Sequence, residues 1–377
     1  MIAGTSILTN DSESSFVYKA EERYLLPKAE VLHIDRLRVL KEISNSSVKK
    51  IKVFLLTQNS LYCLIGEPAY EGQLVRFRAK ARIDLQWALC KYHIKMHSGK
   101  RQHLIEFVKN NKRIAFEAID EEGFQRWRDA LRLRIVHVDF EDKYQKTNIG
   151  CSSKRRKTFK LIEKEFGEVY LAEQVSKQKL QDFILVRGLK RQITIMKELK
   201  GYGGVAQLHE VQETDDAVYL VYEPFSERPV FNHNCKYPLR VFLKILRNIF
   251  AVLRLLEVKG IQHRRLRPAN IHFRYSNRPI EQNDIIITDF SCASFDKQST
   301  GSCNPSREHF PRTIGQRVAK SAANPDVIDT GLIALSYLYY VQFNKPLEKT
   351  SNYSKVIFDP KLLISPGRKL NSKAVVV

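Results

Sequence analysis

Tryptophan occurs only twice and methionine three times in 377 residues, and acidic residues are outnumbered, 41 against 63 basic. No apolar run is long enough to span a bilayer: the longest, around 331–343, is short and interrupted by polar residues, so no transmembrane segment is expected. The six cysteines, Cys63, Cys90, Cys151, Cys235, Cys292 and Cys303, form no C-x-x-C pair and no Cys/His cluster. That spacing indicates neither a zinc site nor a disulfide framework. Met1-Ile2-Ala3-Gly4 is not followed by the basic and apolar regions of a signal peptide. The expected location is therefore cytoplasmic, with peripheral attachment to a membrane. The shortage of acid leaves a formal net charge of +22 and a pI near 9.7. Such an excess favours an anionic partner. No aromatic-plus-basic recognition pattern accompanies it, so nucleic acid is not the expected one.

The chain is organised in two patterned regions. Residues 1–24 are polar and mixed and read as a flexible arm. From 25 to 140, short apolar and β-branched runs appear at 38–43, 52–57, 60–64, 79–85, 104–109 and 113–118. Polar turns such as Gln58-Asn59 and Asn110-Asn111 separate them, as in an antiparallel sheet. A helix follows: Asp120 is its cap, Glu121 and Glu122 lie in its first turn, and Phe124, Trp127 and Leu131 share one face. Residues 141–158, with the basic cluster Lys154-Arg155-Arg156-Lys157, read as a charged linker. The second region runs from 159 to 377. Its long amphipathic helix, 239–259, places Leu239, Phe242, Leu243, Leu246, Ile249, Phe250 and Leu253 on one face.

Short strands closed by one helix bearing a tryptophan resemble a pleckstrin-homology domain, in which that residue plugs the end of a β-barrel. The resemblance assigns this role to Trp127. It also implies an anionic-lipid or protein docking role, with Lys41, Lys49, Lys50 and Lys52 as the phosphoinositide-binding cations. Lys80, Arg82 and Arg101 add general attraction to an anionic membrane.

In the second region two stretches stand out: His263-Arg264-Arg265-Leu266-Arg267-Pro268-Ala269-Asn270 and Thr288-Asp289-Phe290-Ser291. They resemble the H-R-D-L-x-x-x-N and D-F-G loops of protein kinases. Upstream, Phe166-Gly167-Glu168-Val169 resembles the end of the glycine-rich loop, with Ile162 and Lys164 at the earlier glycine positions. Phe183-Ile184-Leu185-Val186-Arg187 aligns with the strand ending in the phosphate-pairing lysine, with Lys190 as the alternative cation. Gln192 takes the place of the helix glutamate, and the N-terminal half of that helix is expected to be absent. Tyr222 would be the gatekeeper, with backbone groups of Glu223 and Phe225 facing an adenine. His309-Phe310-Pro311-Arg312 stands for A-P-E, and Asp326 and Gly331 match the start of the central lower-lobe helix.

The resemblance breaks at the chemistry. Arg265 occupies the position of the catalytic aspartate, and a guanidinium cannot accept a proton near neutral pH. Together with Arg187 and Gln192 it marks the degenerate positions. The implied nucleotide-binding set is Gly167, Arg187, Tyr222, Glu223, Phe225, Asn270 and Asp289, with Asn270 and Asp289 as ligands of a weakly held magnesium ion alongside ATP. The fold class expected is α+β: a pleckstrin-homology-like barrel with a C-terminal helix, then a two-lobed kinase-like fold. Its N-lobe is 159–224 and its C-lobe 225–377, the latter incomplete at its base. The function this implies is a pseudokinase acting as scaffold or regulator, with a protein partner on the kinase-like domain. The alternative is an unusual active serine/threonine kinase that draws its base from elsewhere.

Overall fold

The computed structural model describes residues 7–8, 16–40, 50–97, 99–152, 157–180, 183–227, 229–231, 236–275, 278, 284–295 and 325–343. Lys41, Lys49, the 309–312 motif and the chain after Phe343 lie outside the described residues. The architecture is mixed α/β with one large sheet. The chain divides into two compact units, Met1–Val186 with Leu208–Glu223, and Arg187–Gln207 with Pro224–Val377.

In the first unit, β1 (Val17–Pro27), β2 (His33–Leu40), β3 (Ile51–Leu56), β4 (Ser60–Leu64), β5 (Ala69–Glu71), β6 (Leu74–Asp84), β7 (Leu89–His97), β8 (Lys100–Lys109) and β9 (Lys112–Ala118) precede helix α1 (Glu121–Leu131). Then come β10 (Val136–His137), α2 (Phe140–Lys143), β11 (Tyr144–Ser152), β12 (Lys157–Glu163) and β13 (Val169–Ser176). Helix α3 (Phe183–Glu198) belongs mostly to the second unit, and β14 (Leu208–Glu213) and β15 (Ala217–Tyr222) complete the sheet of the first. The strand order is β1-β6-β4-β3-β2-β9-β8-β7-β10-β14-β15-β13-β12-β11, with β5 on β6.

Two-fold alternation builds these strands. On β6, Val75, Phe77 and Ala79 are buried while Arg76, Arg78 and Lys80 point to solvent. Helix α1 starts where expected: the Asp120 carboxylate accepts the Gly123 N–H at 2.6 Å. Phe124, Trp127 and Leu131 then pack among Leu37, Phe54, Phe107 and Phe116. Trp127 is fully buried.

Several expectations for this unit are corrected. Residues 17–24 are not an arm: they belong to β1, whose Tyr24 and Leu26 cover Tyr62, Val75 and Phe77 on the outer face of the sheet. Of the stretch expected as a linker, residues 141–152 and 157–158 belong to α2, β11 and the start of β12, and the basic residues 154–156 lie outside the described residues. Two of its lysines are held by the fold: Lys143 pairs with Glu210 at 2.7 Å and Lys146 reaches the Tyr219 hydroxyl at 2.7 Å. Phe140, Tyr144, Leu161, Tyr170 and Tyr219 form the core beneath them. No strand pairing among the described residues closes the first eight strands into a barrel. Strand β7 instead passes its free edge to β10, which runs parallel to both β7 and β14.

The second unit carries α4 (Leu239–Val258), β16 (Ile261–Gln262), β17 (Ile271–Phe273), β18 (Ile285–Ile287), β19 (Ser294–Phe295) and α5 (Pro325–Phe343). The short strands pair as two antiparallel ladders, β16 with β19 and β17 with β18. The buried face of α4 is Phe242, Ile245, Ile249, Val252 and Leu256, with Val241 and Leu253 beside them. Leu243 and Phe250, expected inside, are exposed. Both readings fit a 3.6-residue period, and only the position of the neighbours selects one. Against α4 the chain passes through Gly204 at φ +80°, where an added Cβ would lie 2.2 Å from Val252 Cγ2. No helix among the described residues is long and apolar enough to cross a membrane.

Candidate functional site

The loop 263–270 and the segment 288–291 meet in the second unit, positioned by the two small ladders and by α5. His263 follows β16 and is fully buried. Its ring contacts the Thr288 carbonyl at 2.9 Å and packs edge-on against Phe290, centroids 4.8 Å apart. The buried Asp326 carboxylate, at the start of α5, accepts the N–H groups of His263 and Arg264, each at 2.7 Å. Arg264 sits at φ 62°, a left-handed conformation that a non-glycine residue holds only when its surroundings fix it. Here the two hydrogen bonds from Asp326 do so. Asp326 thus ties the loop to the first turn of α5.

The other end of the loop is tied by Asn270. Its Nδ2 donates to the Arg265 carbonyl at 2.9 Å, and its own carbonyl accepts the Thr288 N–H at 2.9 Å. Asp289 is also left-handed, at φ 61°, which turns its carboxylate towards the loop. There it meets a full set of partners. Ser291 Oγ donates to Oδ1 at 2.6 Å, and Asn270 Nδ2 and an Arg267 guanidinium nitrogen each lie 3.3 Å from Oδ2. Arg265 lies 3.7 Å from the same oxygen. The cation at the expected aspartate position therefore faces the one carboxylate left in the loop.

This donor set does not fit magnesium. The ion demands oxygen ligands at about 2.0–2.1 Å in near-octahedral geometry. Two guanidiniums already stand within 4 Å of the single carboxylate and would repel it. Among the described residues no cluster of three His, Cys, Asp or Glu offers a metal site elsewhere.

A second carboxylate supports the loop from α5. Burial pushes the Asp329 carboxyl up from 3.8 to about 7, the charge of Asp326 adds to the rise, and the Leu266 N–H opposes it. Phe225, expected to face an adenine, has its ring 5.2 Å from that of His272.

The other expected positions fall differently. Arg187 and Lys190 lie on α3 and not on a strand. The run 183–187 looks extended in isolation, but it continues into Leu189, Ile193 and Met196 at helical spacing, giving sixteen helical residues. The helix expected to lack its N-terminal half is therefore long, and Gln192 lies on it, buried. The third strand of this half is β13, and its sequence contains Glu173 but no lysine or arginine. Tyr222 ends β15, and its hydroxyl lies 3.5 Å from Glu173. On this strand Tyr170, Leu171 and Ala172 are all buried, a continuous apolar run and not an alternation. Ile162 belongs to β12, and Gly167 makes the turn into β13 at φ +71°. The loop between β11 and β12 at 153–156 lies outside the described residues.

In the first unit, Lys50 is exposed and Lys52 is half-buried. Lys52 lines an open cavity of about 340 Å³ together with Lys80, Arg36 and Ile51. Arg36 is paired with Glu67 at 2.9 Å, which leaves the two lysines as the cavity's cations.

No protein-family model matches the chain. It is 29% identical over 143 residues to calcium-dependent protein kinase 7 of Arabidopsis thaliana, covering 37% of this chain and 26% of that protein. Over 143 residues it is 28% identical to calcium-dependent protein kinase 14 of the same organism, with the same coverage. With calcium-dependent protein kinase 20 of Oryza sativa subsp. japonica the identity is 29% over 119 residues, 31% of this chain and 22% of that protein. The chain spans about a quarter of the length of these curated relatives. Protein kinases in general use ATP and magnesium. The chain contains a protein-kinase-like region.

Proposed function

We propose that this protein is a catalytically impaired kinase-like scaffold or regulator, whose first unit carries a pleckstrin-homology-like docking module. The observation that carries the reading is Arg265. A proton acceptor is needed at that position, and a permanent cation stands there, 3.7 Å from Asp289. Loss of the base alone costs on the order of a hundredfold or more in rate. The absence of a cation on β13 and the glutamine at position 192 remove phosphate positioning as well. The docking role is supported by the Lys52 and Lys80 cavity, whose ammonium groups suit an anionic headgroup or an acidic protein segment.

Incubation of the full chain with radiolabelled ATP, magnesium and generic protein substrates tests the catalytic reading. No incorporation above a denatured control is expected. Magnesium-dependent incorporation that disappears in Asp289→Ala would establish the competing reading, an unusual serine/threonine kinase.

A further inference from the structure

We infer that the loop 264–270 binds a phosphate-type anion without a divalent cation, on the guanidiniums of Arg265 and Arg267. In an active kinase, metal ions bridge the phosphate oxygens and offset their charge. In this chain the positive charge at that place is covalent. One carboxylate, Asp289, faces two guanidiniums, so the trio retains a net positive charge. The neighbouring Arg264 in the chain has its guanidinium 3.4 Å from Ser294 Oγ, and no carboxylate among the described residues forms an ion pair with it.

The internal pairing is also loose. Arg265 reaches Ser291 Oγ at 3.5 Å and Asp289 at 3.7 Å, both longer than a charge-assisted bond. Its Nε is buried and has no hydrogen-bond partner among the described residues. A buried unmet donor is costly, and its natural partner is an oxygen anion that takes Nε and a terminal nitrogen together. The side chains of Arg265, Arg267 and Asp289 are 25%, 22% and 18% exposed. They are reachable from solvent yet partly desolvated, where attraction between opposite charges is stronger than in water.

The inference rests on the reading that the loop does not transfer phosphate, and binding is measured separately from transfer. The full chain is titrated with inorganic pyrophosphate and with ATP, each in EDTA and in excess magnesium, while thermal stability and binding heat are followed. Stabilisation is expected in EDTA and should be no larger in magnesium, since complexed polyphosphate carries less charge. Equal affinity for the two probes identifies phosphate as the recognised group, and tighter ATP adds a contribution from the nucleoside. Arg265→Gln and Arg267→Gln should each weaken binding about tenfold or more. Asp289→Asn, which removes the competing carboxylate, should retain or tighten it. If the arginine variants do not fold, Asp289→Asn alone decides. Binding that requires magnesium and is lost in Asp289→Asn overturns the inference. So does binding unchanged in the arginine variants, which places the anion elsewhere on the basic surface, and so does the absence of binding to either probe. Phosphotransfer in magnesium would refute the non-catalytic reading instead, whatever the EDTA titration shows.

Discussion

Asp329 gives the fold a dependence on pH that can be worked out in advance. Its carboxyl, on α5, is raised from 3.8 to about 7 by burial, with Asp326 nearby. A carboxyl whose folded value exceeds its unfolded value binds protons more tightly in the native state. Its contribution to stability is complete below pH 3.8 and is lost as pH rises through 7. Linkage puts the loss between pH 5 and pH 8 at about 2.6 kcal/mol. Asp329→Asn keeps an acceptor for the Leu266 N–H and removes the titration. The assay is chemical denaturation of wild type and variant in matched buffers across that range. The variant should gain on the wild type steadily from pH 5, with roughly two thirds of the gain below pH 6.5 and a plateau above pH 7.5. Taking the difference cancels the histidines and the general charge of the chain. A difference that stays flat to within about 0.5 kcal/mol would show that Asp329 is not held protonated, and the account of the loop's support would fail with it.

Glu210 works in the opposite sense. Burial alone would raise its carboxyl, but the His137 ring, the Lys143 ammonium and the Gln212 amide bring it down to about 2. Its stabilisation is therefore present above 4.5 and lost as pH falls towards 2, and Glu210→Gln should cost about 1–3 kcal/mol at pH 7, since Lys143 loses its partner at 2.7 Å and keeps only Glu163 at 3.6 Å, seen as a lower denaturation midpoint. Gly204→Ala combines a close contact with Val252 and a positive φ, and a loss of about 2–4 kcal/mol is expected by thermal melting. Lys52→Ala with Lys80→Ala should reduce flotation with phosphoinositide-containing vesicles and leave the melting temperature unchanged. Equal flotation of variant and wild type would remove the cavity from the docking reading.

What could be read in the sequence, and what could not, follows from the range of the forces involved. The cap and buried face of α1 were legible because Asp120, Phe124, Trp127 and Leu131 act within three turns. The meeting of Asn270 and Asp289 was legible through motif spacing, whereas the grip of Asp326 on the His263 and Arg264 N–H groups was not, since it depends on left-handed backbone at Arg264 that no local pattern reveals. Helix α2 and strand β11 were hidden because Lys143 and Lys146 looked solvated, and the partners that hold them, Glu210 and Tyr219, are distant in sequence. Residues 183–187 misled because aromatic and β-branched side chains favour a strand locally, and only the continuation to Met196 overrules that preference. The outward turn of Leu243 and Phe250 was equally out of reach, since two helical faces of similar hydrophobicity cannot be ranked without their neighbours.

The two-residue strand β10 has a practical consequence for anyone dissecting this protein. Val136 and His137 join ladders that would otherwise be two separate sheets, so the regions resembling a docking module and an upper kinase lobe share one hydrogen-bonded fabric. An expression fragment ending near residue 135 would leave the β7 edge bare, and one beginning near 140 would do the same to β14. Unprotected edges of that kind recruit other chains and precipitate. The smallest piece worth purifying runs through Glu223, and the two halves should melt together.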